Sequence, residues 1–368
     1  MSPTGLVFLR LIASARIEVS RMERKSMKET NGNIVCDALN GASMSELSNA
    51  VQKVQSKSSW WEMYGVDWCI IASGFALVPP GLLLIGYPTW PAFIAGILLL
   101  GLFYGMLKTK MSHLAVHSAL CHSKIASRFW EVFFVEFLGS FSVEFAKTSH
   151  IKVHHPHTNI IGLGDSSTWR APFLPCLIYM FVAPLLLPAF IPFLAVGFLV
   201  RDNKLNRALQ CAVVVTLGLI ANISLLVYVS GLSLKSAVLS LLSYRAVMEL
   251  PYIHINIFQH IGLPMYLPEN RPPRLYMMSS GVLNLSHNPL LSWNFGHSLI
   301  GCHVEHHLFP KLSDNMCLKI QPIVKKYLQD HKLPYHERGY FNRLQHFVKE
   351  YQALMVNLPP ITEFIGIQ

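Results

Sequence analysis

Long apolar runs constrain this chain more than any other feature. From about Asp67 to Leu107 the sequence is almost continuously apolar, interrupted by GYPTWP at residues 86–91. A second block runs from about Ala171 to Val200, passes through RDNKLNR at 201–207 and resumes from Ala208 to about Ser230. A helix needs roughly 20 apolar residues to cross the hydrocarbon core of a bilayer, and there every backbone polar group must be satisfied within the element. The runs therefore predict helical spans near 67–86, 90–107, 178–200 and 208–230, paired as two hairpins. Composition agrees, with 52% hydrophobic and 14% charged residues, where a soluble domain has about one quarter charged. The expected fold is an all-α integral membrane protein of about four transmembrane helices.

Two hairpins have a topological consequence. The N-terminus, the segment 108–170 and everything after about 235 should share one side, forming a helical cap there. All 30 Lys and Arg except Arg201, Lys204 and Arg207 fall in those segments, so that side is expected to be cytosolic. The run at 171–200 carries Pro172, Pro175, Pro184, Pro188 and Pro192. Interior proline removes a backbone hydrogen bond and kinks a helix, so part of this run is expected to bend or to lie in the interface. FWEVFFVEFLGSFSVEF, 129–145, holds Glu131, Glu136 and Glu144, too many acids for a lipid-exposed span, and reads as an amphipathic or partly sunk helix.

The expected organisation is a polar N-terminal extension over 1–58, a membrane domain over 59–345 and a C-terminal tail over 346–368. MERKSMKETNGN within the extension reads as disordered or weakly helical. The opening MSPTGLVFLRLIASAR has a faint transit-peptide character, but its apolar run is short and broken. Trp60, Trp61 and Tyr64 stand where an interfacial aromatic belt begins.

The formal charge of +10 sits outside the apolar runs. It suits anionic lipid or an acidic partner better than nucleic acid. Seven scattered cysteines without a C-x-x-C pair suggest neither a disulfide framework nor a cysteine–zinc site.

Histidine carries the chemical signal, with 17 in the chain. They cluster in SHLAVHS from 112, SHIKVHHPHTN from 149, HINIFQHIG from 254 and CHVEHHLFP from 302. On a helix, His113 and His117 share a face, as do Asn256 and His260. His303, His306 and His307 stand at i, i+3 and i+4. His150, His154 and His155 stand at i, i+4 and i+5, a wider arc that requires a side chain to bend inward or the helix to distort. Eight or nine imidazoles exceed the four ligands that close a zinc site, so two metals are implied. Imidazole suits zinc, copper, iron and nickel alike. A site beneath apolar helices without an H-E-x-x-H carboxylate favours oxidative chemistry on a lipid over metal-assisted hydrolysis. His122, His157, His254, His287, His297, His331, His336 and His346 read as ordinary interfacial or hydrogen-bonded residues.

SHLAVHS, SHIKVHHPHTN and CHVEHHLFP together resemble the three histidine boxes of the membrane fatty acid desaturase family, in the right order and spacing. EHHLFP and HTNIIGLGDSSTW carry much of the likeness, which runs from about residue 67 to 345 and is strongest to a vertebrate branch. The resemblance implies a non-haem centre of two iron ions that uses O2 to remove two hydrogens from adjacent methylenes of an acyl chain. Its ligands would be His113 and His117, then His150, His154 and His155, then His303, His306 and His307. His260 would be an additional ligand and Asn256 the holder of a metal-bound water. Glu144, Asp165, Glu249 and Glu305 are candidates to accept the outer ring N–H of the ligands. Leu114 departs from the family, where many relatives have Asp, and the second box has three residues before its His-His pair where the commonest form has two. Many relatives carry Gln at the position of His303, so that residue is expected to be the most replaceable of its box.

Desaturation also needs two electrons per turnover, and the sequence carries no flavin or nicotinamide fingerprint and no HPGG haem motif. The expected donors are cytochrome b5 and its reductase at the endoplasmic reticulum, acting on an acyl-CoA or acyl-lipid substrate. Two alternatives stay open on sequence alone: a lipid hydroxylase on the same centre, and a metal transporter, which would need its ligands along the spans themselves. A membrane zinc hydrolase or receptor-like protein would need one metal and about three histidines.

Overall fold

The computed structural model describes residues 41–161, residue 163 and residues 174–356. The N-terminal 40 residues, Asp165 with most of its surrounding stretch, and the end of the tail lie outside them. Four helices are long and apolar enough to cross a membrane: α2 (Trp61–Gly86), α3 (Trp90–Val116), α5 (Ile178–Arg201) and α6 (Leu205–Tyr228). Around them stand α1 (Met44–Lys57), α4 (Lys124–Glu131), α7 (Leu234–His260), α8 (Arg274–Gly281), α9 (His303–Leu308), α10 (Asp314–Asp330) and α11 (Tyr340–Lys349).

The hairpin of α2 and α3 closes because small residues let the backbones approach. A Cβ on Gly96 would stand 2.7 Å from the Ile85 amide nitrogen and 2.8 Å from the Gly81 carbonyl. α7 runs alongside α3 in the same direction. Gly101 faces Tyr244 and Val247, and Gly105, one turn on, faces Met248. Both helices thus advance together toward the histidine clusters.

α7 is a full-length companion that hydropathy alone conceals, because it carries Lys235, Arg245 and Glu249. The last two are buried and answered by protein. Arg245 donates to the Ser140 hydroxyl at 3.1 Å and the Leu138 carbonyl at 3.2 Å, and lies over the Tyr104 ring. Glu249 pairs with Lys108. Polar groups at membrane depth are tolerated where they face the bundle and find partners.

In space α6 pairs with α7: Tyr244 donates to Asn222 at 3.3 Å, and Leu226 clusters with Ala237 and Leu241. The turn between them meets the turn of the first hairpin, with Ser230 against Gly86. The other end of α6 lies with the histidines. Lys204 bonds Glu144 at 2.9 Å and Arg207 bonds Glu136 at 2.9 Å, just ahead of the second box. This corrects the expectation that Arg201, Lys204 and Arg207 stand opposite the histidine clusters. Both ends of α5 also meet the histidine end: the Met180 carbonyl lies 2.9 Å from the His254 ring, and Phe198 stacks on Phe145 at 3.9 Å. Pro188 and Pro192 lie inside this helix.

The cap is built on α10, whose Met316, Ile320, Val324 and Leu328 are buried with Val304 and Leu308 of α9. A two-stranded parallel pair, β1 (Leu283–Leu285) and β2 (His336–Arg338), holds Asn284 opposite Glu337. Part of the segment read as an extension belongs to this cap. α1 is capped by Ser43, whose hydroxyl accepts the Ser45 amide. It buries Leu47 and Val51, and Tyr327 of α10 bonds both Ser43 and Glu46.

Candidate metal centre

The three boxes arrive by different local routes. His113 and His117 sit at the end of α3, after a π-helical turn, Leu107–Met111. The second box lies in a longer π-helical segment, Lys147–His154, and the His155 amide donates five residues back to the His150 carbonyl at 3.1 Å. A π turn takes up one residue more than an α turn. It absorbs the extra residue of this box and turns His150, His154 and His155 toward one centre. α9 supplies the third box and the last turn of α7 supplies His260.

Nine imidazoles converge as two groups, and within each group one nitrogen per ring lies within 4.8 Å of all the others. The first is His113, His117, His150, His155 and His306; the second is His154, His260, His303 and His307. The Nε2 atoms of His113 and His150 are 3.1 Å apart, those of His155 and His117 3.2 Å, and those of His260 and His303 2.9 Å. Such separations match neighbouring ligands about one ion with metal–nitrogen bonds of about 2.1 Å. Both ring nitrogens of His306 and Nε2 of His307 are buried with no hydrogen-bond partner among the described residues. Buried polar atoms are rarely left unsatisfied, so the donor set fits a pair of cations.

The electrostatics suit neutral ligands. Burial pushes His150, His154, His155, His303, His306 and His307 well below the ordinary imidazole range, and their ring neighbours push them further the same way. A deprotonated ring nitrogen is what a metal takes.

Three of the rings are oriented by main-chain carbonyls, while the Nδ1 atoms of His113, His154, His155 and His306 have no partner among the described residues. His303 Nδ1 faces the Ser298 carbonyl at 2.8 Å and His260 Nδ1 the Gly281 carbonyl at 3.4 Å. The Pro310 carbonyl bonds His117. Thr158 gives its proton to the His154 carbonyl at 2.7 Å and stands 3.2 Å from His307 Nδ1. Sequence reading looked for acids in these places and missed the carbonyls, because a carbonyl leaves no residue-type signal. Among the described residues none of the candidate acids bonds a box imidazole. Glu144 pairs with Lys204 and Glu249 with Lys108. Glu305, fully buried between the third-box histidines, accepts from Tyr335 at 2.8 Å and Asn284 at 3.1 Å. Burial raises its carboxyl to about 7 against the pull of those two donors. Asp165 lies outside the described residues. Asn256 stands one turn before His260 and donates to the Tyr252 carbonyl at 2.8 Å. Leu114 is buried in the apolar core, where a carboxylate would be desolvated.

None of the eight histidines read as ordinary joins either group. His122 bonds Tyr64, His254 bonds Tyr340 and His331 bonds the Tyr327 carbonyl.

Comparison with known proteins agrees with this geometry. The family model for fatty acid desaturases matches residues 88–339. The chain is 49% identical over 328 residues to fatty acid desaturase 6 of Bos taurus, covering 89% of this chain and 96% of that protein. It is 48% identical to fatty acid desaturase 6 of Homo sapiens, covering 89% and 92%. A delta(8)-fatty-acid desaturase of Borago officinalis is 28% identical over 106 residues, covering 28% of this chain and 23% of that protein. Boxes, helices and sequence likeness lead to one assignment: the chain belongs to the fatty acid desaturase family.

Proposed function

We propose that the chain is an O2-dependent fatty acyl desaturase acting on a CoA- or lipid-linked chain, with one iron held by each histidine group. The observation that carries this reading is the convergence of nine neutral imidazoles into two adjacent groups at the ends of apolar helices. An unactivated methylene offers neither an acidic proton nor a leaving group, so side-chain acid–base chemistry cannot attack it. When bound, iron with O2 and two external electrons supplies the oxidising power.

The chain's own residues hold, orient and seclude that centre. His113, His117, His150, His155 and His306 take one metal; His154, His260, His303 and His307 take the other. The carbonyls of Ser298, Gly281 and Pro310 fix the rings, and buried Leu114, Ala115 and Val304 help keep water away. Asn256, on the face of α7 that carries His260, is assigned the holding of a water on the metal.

The same reading places four crossings at α2, α3, α6 and α7, with proline-rich α5 along the interface. Arg201, Lys204 and Arg207 then join the basic side, and Lys235 is the cation left at the far end among the described residues. Positive charge favours the cytosolic side, so the metal centre faces the cytosol of the endoplasmic reticulum and takes electrons from cytochrome b5 and its reductase. Turnover reconstituted without b5 and undiminished would exclude that donor.

Expression in a desaturase-deficient yeast, with acyl chains profiled, tests the function. A new double bond that disappears in His306→Ala is expected; an unchanged profile from a well-expressed, iron-loaded protein would contradict it.

A further inference from the structure

Beside the metal centre, on its outer face, lies a pocket of about 410 Å3 lined by residues that the desaturation reading leaves unused. This volume falls within the ~300–1,000 Å3 of small-ligand sites. Its wall is basic: Lys124, Arg128, Lys147 and Lys311 line it, with His122, Tyr64 and Ser118. Glu131, the acid in the lining, is already committed. One of its oxygens accepts from Lys147 at 2.6 Å and the other from Arg128 at 3.2 Å. Lys124 and Lys311 have no acidic partner among the described residues. Three positive charges therefore remain after the carboxylate is counted, gathered in a concavity where field lines focus.

Its placement narrows what fits. The lining includes Ser118, the neighbour of His117 in the chain, and Lys311 follows the Pro310 carbonyl that bonds His117. Next to the lining residues in the chain, apolar side chains are exposed: Ile125, 86% exposed, follows Lys124, Phe129 follows Arg128, and Trp60 and Trp61 precede Tyr64. α4 thus alternates lysine and arginine with bare apolar side chains, the pattern of a helix lying at a membrane surface with cations at headgroup level.

We propose that this pocket binds a phosphate-bearing headgroup at the membrane surface, with Lys124 and Lys311 as its principal cations. The group would be the diphosphate of a CoA thioester or the phosphate of a membrane lipid. That it belongs to the acyl substrate rests on the desaturase reading; the binding itself does not.

The test uses the full chain in phosphatidylcholine nanodiscs. Coenzyme A is titrated from the aqueous phase, and phosphatidic acid is introduced in parallel discs, with the bound iron measured in each preparation. Wild-type protein is expected to bind one of these probes, and Lys124→Glu/Lys311→Glu to weaken that binding at least roughly tenfold, as loss of charge-assisted phosphate contacts should. Lys124→Gln/Lys311→Gln should fall between them. Preference for coenzyme A identifies a thioester headgroup, and preference for phosphatidic acid a lipid one. The proposal is overturned if neither probe binds wild type, or if wild type and both variants bind equally. Charge-dependent binding by a protein that takes up no iron would uphold the pocket and sink the desaturase reading.

Discussion

Lys110 and Asp314 form a fully buried ion pair at 2.7 Å, joining membrane helix α3 to cap helix α10. The same ammonium bonds Asp67 of α2 at 2.8 Å, and Asp314 also accepts the Ser298 amide at 3.0 Å. Lys110 precedes His113 by one turn, and Ser298 orients His303. One cation thus fixes how the first and third boxes meet. Removing one partner of a buried pair leaves an uncompensated charge, at a cost of about 3–5 kcal/mol. Lys110→Met should lower thermal stability by that order in detergent and reduce iron uptake. Neutralising Asp67 and Asp314 in the same protein should restore part of both.

The triad also gives the cap an acid limit. Burial by itself would raise the Asp314 carboxyl; Lys110 outweighs it and holds the group below the ordinary aspartate range. A carboxyl depressed in the folded state adds stability above its unfolded pKa and loses it as pH falls through the folded value. The window lies below about pH 4, the unfolded aspartate value. Unfolding followed against pH should steepen there in wild type. Asp314→Asn should be less stable at neutral pH and flatter across that window.

The third box should divide unequally. His303→Gln preserves length and polarity beside the Ser298 carbonyl and is expected to retain both irons and measurable desaturation. His306 stands in the five-ring group with both nitrogens buried and unpartnered. His306→Ala should drop iron toward about one per chain, since ligand loss weakens the site directly. Equal losses in the two variants would contradict this ordering.

Glu305 is held by Tyr335 and Asn284 rather than by an imidazole. Tyr335→Phe removes one donor from a buried carboxylate, a change that costs about 1–3 kcal/mol. Thermal melting should register that loss. Iron content should change less than in His306→Ala, because the rings themselves keep their carbonyl partners.

Much of this was legible in the residues, for identifiable reasons. The gathering of the boxes into two imidazole groups was readable because a histidine cluster is written in residue type and spacing. The demand that the helix distort at His150, His154 and His155 is met by the π segment Lys147–His154. The first hairpin was legible because residues 68–86 and 90–107 carry no charge, with Asp67, Lys108 and Lys110 lying just outside those runs. The partner of α6 was not, since Arg245 and Glu249 lower the hydropathy of α7 and their compensation by Ser140, Leu138 and Lys108 comes from distant sequence. The orientation of the rings was hidden for a similar reason: the Ser298, Gly281 and Pro310 carbonyls are backbone, available at any residue. The packing of α1 was concealed because its apolar residues, Met44, Leu47, Ala50, Val51 and Val54, are interleaved with polar ones in a polar extension, and the burial of Leu47 and Val51 depends on α10.

Metal analysis of the purified full chain tests the central claim most directly. We expect about two irons per chain, as two filled groups of imidazoles require, with loss in His306→Ala and in His154→Ala. A single zinc per chain, retained by both variants, would contradict the di-iron desaturase reading.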